Sequence, residues 1–294
     1  MKFRIVGIGE VLWDQLPSGP QLGGAPGNFA HHARELGAES CVITRVGDDA
    51  LGRAALKRFE ERGITHTAVQ VDDEAPTGTV TVSLSPDGSP TYVIHEGVAW
   101  DRLAVTTAGI HAVRGADAIC FGSLAQRSET SRRSIQELVA ATSPDALRVF
   151  DMNLRQQYFS RGVVEQSLNL ANVLKLNDGE LPVLAGMFGL TGTARQQIDW
   201  LTRRFHLRLV ALTCGAEGSV LCRSGQWSED TSAPVEVVDT VGAGDAFTAA
   251  LVLGELQGME LADMHRLAGE VARYVCSCAG ATPVLPQSLR RGLR

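Results

Sequence analysis

Asp239-Thr240-Val241-Gly242-Ala243-Gly244-Asp245-Ala246-Phe247 carries the most specific chemical signal in the chain. It follows a β-type run, Val235 to Val238, and opens an apolar helix expected over Ala246 to Leu256. Gly242, Ala243 and Gly244 lack bulky side chains, so successive backbone N–H groups can turn toward one anionic point at a helix N-terminus. Asp245, in the first helical turn, could take a proton from an attacking hydroxyl while those amides stabilise charge on a transferred phosphoryl group. An isolated G-x-G-D reads more simply as a turn whose aspartate favours the helix dipole. Its companions decide between the two.

Leu22-Gly23-Gly24-Ala25-Pro26-Gly27-Asn28 is a second glycine-rich loop leading into a helix, with Asp14 upstream in Trp13-Asp14-x-Leu16-Pro17. Asp14 and Asn28 offer acceptor and amide groups suited to sugar hydroxyls, and glycines such as Gly24 allow close backbone approach. In Asp151-Met152-Asn153-Leu154-Arg155, which ends a strand, Asn153 and Arg155 could orient a sugar or a phosphate. A planar guanidinium matches phosphate, and a salt bridge at the loop edge is the competing use of Arg155. Asn177-Asp178-Gly179-Glu180 alone is a turn and helix start. Thr213-x-Gly215-x-x-Gly218 alone is a hairpin turn into Ser219 to Cys222. The seven histidines show no HExxH spacing, His31 and His32 fall on adjacent faces of one helix, and no serine occupies a G-x-S-x-G elbow, so none of these is read as catalytic.

The elements that must hold these groups alternate. Phe3 to Ile8 reads as a buried first strand, 28–37 as a helix with Asn28 as N-cap and Gly37 at its end, Cys41 to Val46 as a strand, and Leu51 to Gly63 as a helix. Further buried strands are expected at Ala118 to Phe121, Arg148 to Asp151, Val173 to Leu176 and Leu209 to Thr213, with helical stretches such as Ser131 to Ala141 between them. Gly78 to His95 differs: it is rich in β-branched residues and split by Pro86-Asp87-Gly88-Ser89, which predicts an antiparallel ribbon. The whole implies an α/β fold with a mostly parallel sheet, one domain over 1–294 with a small β excursion, and polar motifs at the carboxyl ends of the strands.

At 294 residues the chain buries enough surface for a rigid scaffold. Its net charge of −6 draws it toward neither nucleic acid nor an acidic membrane, so any phosphate must be held locally. No signal peptide and no apolar run of about 18 residues is present. The six cysteines lack zinc-type spacing and read as buried structural thiols, which suits a cytoplasmic protein.

Taken together, and with Arg45-Val46-Gly47-Asp48-Asp49-x-Leu51-Gly52, these motifs resemble the ribokinase-like (PfkB) carbohydrate kinase family. The resemblance implies a Rossmann-like sheet flanked by helices, with a small β-sheet lid from segments 10–24 and 76–98. It implies Asp245 as catalytic base, with Gly242, Ala243 and Gly244 as anion hole and Arg155 on the phosphate. Asp14, Gly24 and Asn28 would bind sugar, with Glu96 and Asn153 beside them and Trp100 and Asp101 nearby. Asn177 and Glu180 reproduce the N-x-x-E motif tied to Mg²⁺ and phosphate, with Glu180 acting through metal-bound water. Thr213, Gly215 and Gly218 would meet the ATP phosphates. Asp239 and Val241, with Val275, Cys278 and Gly280, would flank a monovalent cation such as K⁺. Met152 departs from the proline usual there. GEVLWDQLP, GGAPGNFAHH and TGTVTVSL look most like the fructokinase branch. A kinase for ribose, 2-keto-3-deoxygluconate or a nucleoside, or a catalytically silent sugar-binding regulator, stays open, although a silent protein would more often have a damaged GAGD turn. Lids that pair between subunits imply a homodimer.

Overall fold

The strands of this computed structural model, which describes residues 2–16, 19–84, 90–231 and 235–290, are β1 (Arg4–Ile8), β2 (Leu12–Leu16), β3 (Gly19–Gly23), β4 (Glu39–Ile43), β5 (Arg45–Gly47), β6 (Gln70–Asp72), β7 (Gly78–Leu84), β8 (Pro90–Ile94), β9 (Ala118–Phe121), β10 (Leu147–Asp151), β11 (Val173–Asn177), β12 (Leu209–Thr213), β13 (Ser219–Arg223) and β14 (Gln226–Asp230). Eight of them form one sheet in the order β14-β13-β12-β11-β10-β9-β1-β4. Pairing is parallel from β4 to β12, and β13 and β14 extend that edge antiparallel. The parallel strands are apolar on both faces because helices cover both.

Period-two alternation divides the core between the faces. Ile5, Cys120, Val149 and Ala211 pack on one side with the helices α1 (Ala25–Glu35), later joined by Ala243–Leu256 and Leu261–Cys276. Val6, Phe121, Phe150 and Leu174 face the other, under helices that include Glu129–Ala140 and Ala194–Phe205. Strand order reverses about β1 and β9, which opens a crevice at their carboxyl ends. The α/β class and mostly parallel sheet expected from the sequence are those observed. Among the described residues no helix is long and apolar enough to cross a membrane.

Several local expectations need correction. The helix α1 begins at Ala25, three residues before Asn28, because Pro26 is pre-set for a first turn and Gly24 at φ 109° serves as its N-cap. Asn28 therefore points outward from the first turn instead of capping it. The strand expected over Cys41 to Val46 breaks at Thr44 into β4 and β5, and β5 leaves the main sheet to pair with β6. Val235 to Val238 forms no strand, and Val235, Val237 and Val238 are exposed. The ribbon is not two-stranded: β7 pairs antiparallel with β8 and parallel with β2, and β2 with β3, giving a four-stranded sheet from 12–23 and 78–94. The turn Pro86-Asp87-Gly88-Ser89 and Pro17 lie outside the described residues.

One aspartate ties this small sheet to the main body. Asp49 caps the helix Ala50–Glu61 by accepting from Gly52 N at 2.7 Å, and it also accepts from Thr77 N and Thr77 Oγ1, both at 2.8 Å, at the root of β7. Asp49→Ala is expected to lower stability by about 2 kcal/mol, one cap plus buried donors left unpaired, as measured by urea unfolding.

Candidate active site

Asp245 stands in the first turn of Ala243–Leu256, partly exposed at the floor of the crevice. The helix starts there because Gly242 adopts φ 80°, a left-handed turn, and because the Ala281 carbonyl packs against it so closely that a Cβ would lie 2.2 Å from the oxygen. Asn28 Nδ2 donates to Asp245 Oδ2 at 2.9 Å, so the first turns of two helices, 217 residues apart, meet side chain to side chain. A small cavity of about 10 Å³, lined by Ala25, Pro26, Cys120, Phe121, Gly122, Asp151 and Asp245, lies at this junction and has room for about one water.

The charge around Asp245 is unusual. Burial, and then the Asp151 carboxylate, push its pKa up to about 7, while Asn28, Lys175 and Arg155 oppose the rise. Glu10, just past β1, is buried, its Oε2 has no hydrogen-bond partner among the described residues, and burial raises it to about 7 as well. Lys175 Nζ donates to Asp151 Oδ1 at 3.1 Å, and Thr248 Oγ1 donates to Asp151 Oδ2 at 3.0 Å, which fixes that carboxylate behind Gly244. Burial works against the Lys175 charge, yet Asp151, Glu180 and Asp245 outweigh it and hold its pKa above the ordinary value. Arg155 forms no ion pair among the described residues, so the loop-edge salt bridge is not observed; its guanidinium acts at longer range on Glu10, Asp14 and Asp245. Burial raises the Asp14 carboxyl, and Arg155 opposes it.

The structure thus brings Asp14, Gly24, Asn28, Arg155, Gly242, Ala243, Gly244 and Asp245 to one crevice. Gly24 lies against the Glu10 carbonyl, 2.5 Å from where a Cβ would sit. Asn153 occupies a left-handed turn at φ 39° beside Arg155. Next along the sheet edge, Glu180 accepts from Leu154 N at 2.7 Å and from Asn177 N at 2.8 Å, and Asn177 Oδ1 accepts from Glu180 N at 2.9 Å. Glu180 therefore clamps the ends of β10 and β11 together. Thr213 ends β12 opposite Asn177, and Gly215 and Gly218, at φ 54° and 101°, shape a tight turn into β13, so the hairpin is present. Asp239 accepts from Val241 N at 3.0 Å and from Gly280 N at 3.1 Å, linking the Gly242 turn to the C-terminal loop. Val275 carbonyl is occupied by Cys278 N at 3.0 Å.

Glu96, Trp100 and Asp101, expected beside the sugar, have these partners. Glu96 is exposed and accepts from Tyr158 Oη at 2.8 Å. Trp100 is fully buried, with the Arg127 guanidinium 3.9 Å above its ring, and Asp101 accepts from Arg127 at 2.8 and 2.9 Å. These brace the return strand of the small sheet. The six cysteines are free; Cys120 and Cys222 are buried, whereas Cys41, Cys214, Cys276 and Cys278 are half-buried, so the expectation of fully buried thiols holds for two of the six.

Motif spacing does not single out Lys175, Glu10 or His32. The signal for Lys175 is a lone charge inside the apolar run Val173 to Leu176, which must find a partner when buried. Glu10 ends another apolar run. His31 and His32 have no catalytic contact, yet they are not idle: their Nε2 atoms donate to Pro283 O at 3.2 Å and Ala281 O at 2.9 Å, holding the loop that backs Gly242. Burial depresses both, His32 to about 3.

With this geometry in place, comparison with known proteins is decisive. Residues 20–288 match the pfkB family carbohydrate kinase pattern. The chain belongs to that family. It is 31% identical over 265 residues to a fructokinase from Escherichia coli, covering 86% of this chain and 85% of the relative. A putative sugar kinase from Pyrococcus horikoshii is 28% identical over 268 residues, 88% of this chain and 82% of that one. A fructokinase with bound ATP from Xylella fastidiosa has the same fold, at TM-score 0.86 and 22% identity over 99% of both chains. The Pyrococcus horikoshii sugar kinase in complex with ATP superposes at TM-score 0.82 and 26% identity, covering 98% of this chain and all of that one.

In this carbohydrate kinase the raised Asp245 pKa has a cost in stability. The carboxyl ionises near 3.8 in the unfolded chain and near 7 in the fold. Between those values the native state holds the extra proton, so stability falls as pH rises through that window. Asp245→Asn is expected to raise stability by about 1–2 kcal/mol at pH 8, discounted for partial exposure, and to lose that advantage by pH 4, as read from urea unfolding across pH.

Proposed function

We propose that the kinase transfers the γ-phosphoryl group of ATP to a hydroxyl of fructose, with Asp245 as general base. The observation that carries this reading is Asp245 itself, at pKa about 7 in the first turn of a helix whose N–H groups point at the same space. Asp245 takes the hydroxyl proton, the sugar oxygen bonds to the γ-phosphorus in line, and the bond to the β-phosphate oxygen breaks to release ADP. The Gly242, Ala243 and Gly244 amides stabilise the charge that develops on the transferred group, and unpaired Arg155 meets it from the sugar side.

Asp14, Asn28, Asn153 and the close backbone at Gly24 orient the sugar, with Glu96 entering from the small sheet, which acts as the lid. The E. coli relative at 31% identity is named a fructokinase, which supports fructose over other sugars. Thr213, Gly215 and Gly218 receive the nucleotide phosphates beside Asn177. The donors at this rim are oxygens, and Glu180 retains one lone pair on each carboxylate oxygen beyond its two amide bonds, a set that fits Mg²⁺ held largely through water. Such an ion would neutralise phosphate charge when bound. Asp239 and the Val241 carbonyl suit a monovalent cation such as K⁺. Free thiols suit the cytoplasm, and lid pairing in a homodimer would cover Tyr92 and Val93, which β8 leaves exposed.

Asp245→Asn is expected to lower turnover by about 10²–10⁴-fold with folding intact; retention of most turnover would remove Asp245 from this role. Asn28→Ala deletes a hydrogen bond that favours the Asp245 carboxylate, so the acid limb of the kcat/KM profile should move above pH 7. A sugar panel with ATP and Mg²⁺ in a coupled ADP-release assay should give the highest kcat/KM for fructose, and a higher value for ribose or 2-keto-3-deoxygluconate would reassign the substrate.

A further inference from the structure

A second cleft, of about 290 Å³, shares no residue with the cavity at Asp245. Its walls are Trp13, Pro20, Gln21 and Leu22 of the small sheet, Arg58 and Arg62 at the end of the helix Ala50–Glu61, and the C-terminal loop 279–282. The lining holds two guanidinium groups and no carboxylate. Arg58 and Arg62 are one turn apart, so their charges face the same way and repel. Arg58 has one carboxylate neighbour, Glu61 at 3.5 Å on the exposed surface, and Arg62, half-buried, forms no ion pair among the described residues. Two guanidinium groups at one cavity wall, with Glu61 as the single nearby carboxylate and that one outside the lining, leave a net positive charge that describes an anion site.

We propose that this cleft binds a phosphate-bearing small molecule, with Arg58 and Arg62 on the phosphate and Gln21 and Thr282 on its polar remainder. The volume accepts a phosphorylated sugar, and a pair of guanidinium forks suits a dianionic phosphate. The occupant would touch the loop that supports the catalytic turn. Gly280 N donates to Asp239 Oδ2 at 3.1 Å, His32 holds the Ala281 carbonyl at 2.9 Å, and that carbonyl packs on Gly242. A ligand that tightens or shifts 279–282 therefore acts on the Gly242 turn through direct contacts. This coupling rests on the catalytic reading of Asp245, whereas the binding does not.

Isothermal titration of the full chain with inorganic phosphate and, separately, glucose 6-phosphate tests the site. The wild type is expected to bind at least one probe, and Arg58→Ser/Arg62→Ser to weaken it at least about tenfold while melting like the wild type. Gln21→Glu, on the facing wall, adds a negative charge and should produce the same loss. Tighter binding of glucose 6-phosphate assigns an organic phosphate, and equal binding assigns the free ion. Wild-type protein that binds neither probe, or variants that bind both unchanged, would overturn the site. Binding that leaves the KM for ATP unaltered would overturn the coupling alone.

Discussion

Concentrated negative charge at the carboxyl end of the sheet is the constraint around which the kinase is arranged. Glu10, Asp151, Glu180 and Asp245 converge where β1, β10 and β11 end and the helix Ala243–Leu256 begins, in a crevice where burial raises the cost of each charge. Two cations answer four carboxylates. Lys175 is spent on Asp151, and Arg155 at the mouth forms no ion pair among the described residues. Glu10 and Asp245 are both raised to about 7, so each is poised to hold a proton near neutral pH. In the proposed function, a phosphate entering this crevice would meet Arg155, a row of amide donors and a carboxylate poised to change protonation state.

The helix α1 transmits that arrangement to the rest of the chain. Asn28 and His32 lie four residues apart, hence on one face. The first reaches Asp245 and the second reaches Ala281, whose carbonyl closes over Gly242. One helix therefore positions both Asp245, the proposed base, and the support of the Gly242 turn. At its own N-terminus, Gly24 joins it to β3 of the small sheet through a backbone turn against Glu10. The small sheet is thus joined directly to α1, and through Asn28 to Asp245.

Much of this was legible in the sequence because parallel strands advertise themselves as short apolar runs and glycine turns as sparse side chains. Strands at Ala118, Val173 and Leu209 and the turn at Gly242 follow from local rules. The misreadings share a physical cause: each concerns a residue whose partner is distant. Asn28 looks like an N-cap locally, but Pro26 lets the helix begin earlier and the side chain goes to residue 245. Val235 to Val238 has strand composition but no edge to pair with, and the β2–β7 pairing joins residues more than 60 apart. Lys175 reads as an interruption in an apolar strand until Asp151 is placed beside it in the adjacent strand.

Why reaction class is readable from this chain while sugar identity is weakly constrained follows from the same distinction. In the proposed function, phosphoryl transfer would rest on backbone amides, a helix terminus and a carboxylate of raised pKa, all fixed by the packing of α1, the sheet and the helix at Ala243. Sugar choice, in the same proposed function, would rest on hydrogen bonds from Asp14, Asn153 and Glu96, which sit on the small sheet and the loop after β10, outside the interdigitated core. Glu96 is held by Tyr158, and Asn153 by an uncommon backbone turn, so single substitutions at Tyr158 or Leu154 could re-aim them without disturbing Asp245. Such an arrangement lets one catalytic frame serve different sugars, since discrimination lies in a few polar contacts whose loss leaves the transfer machinery intact.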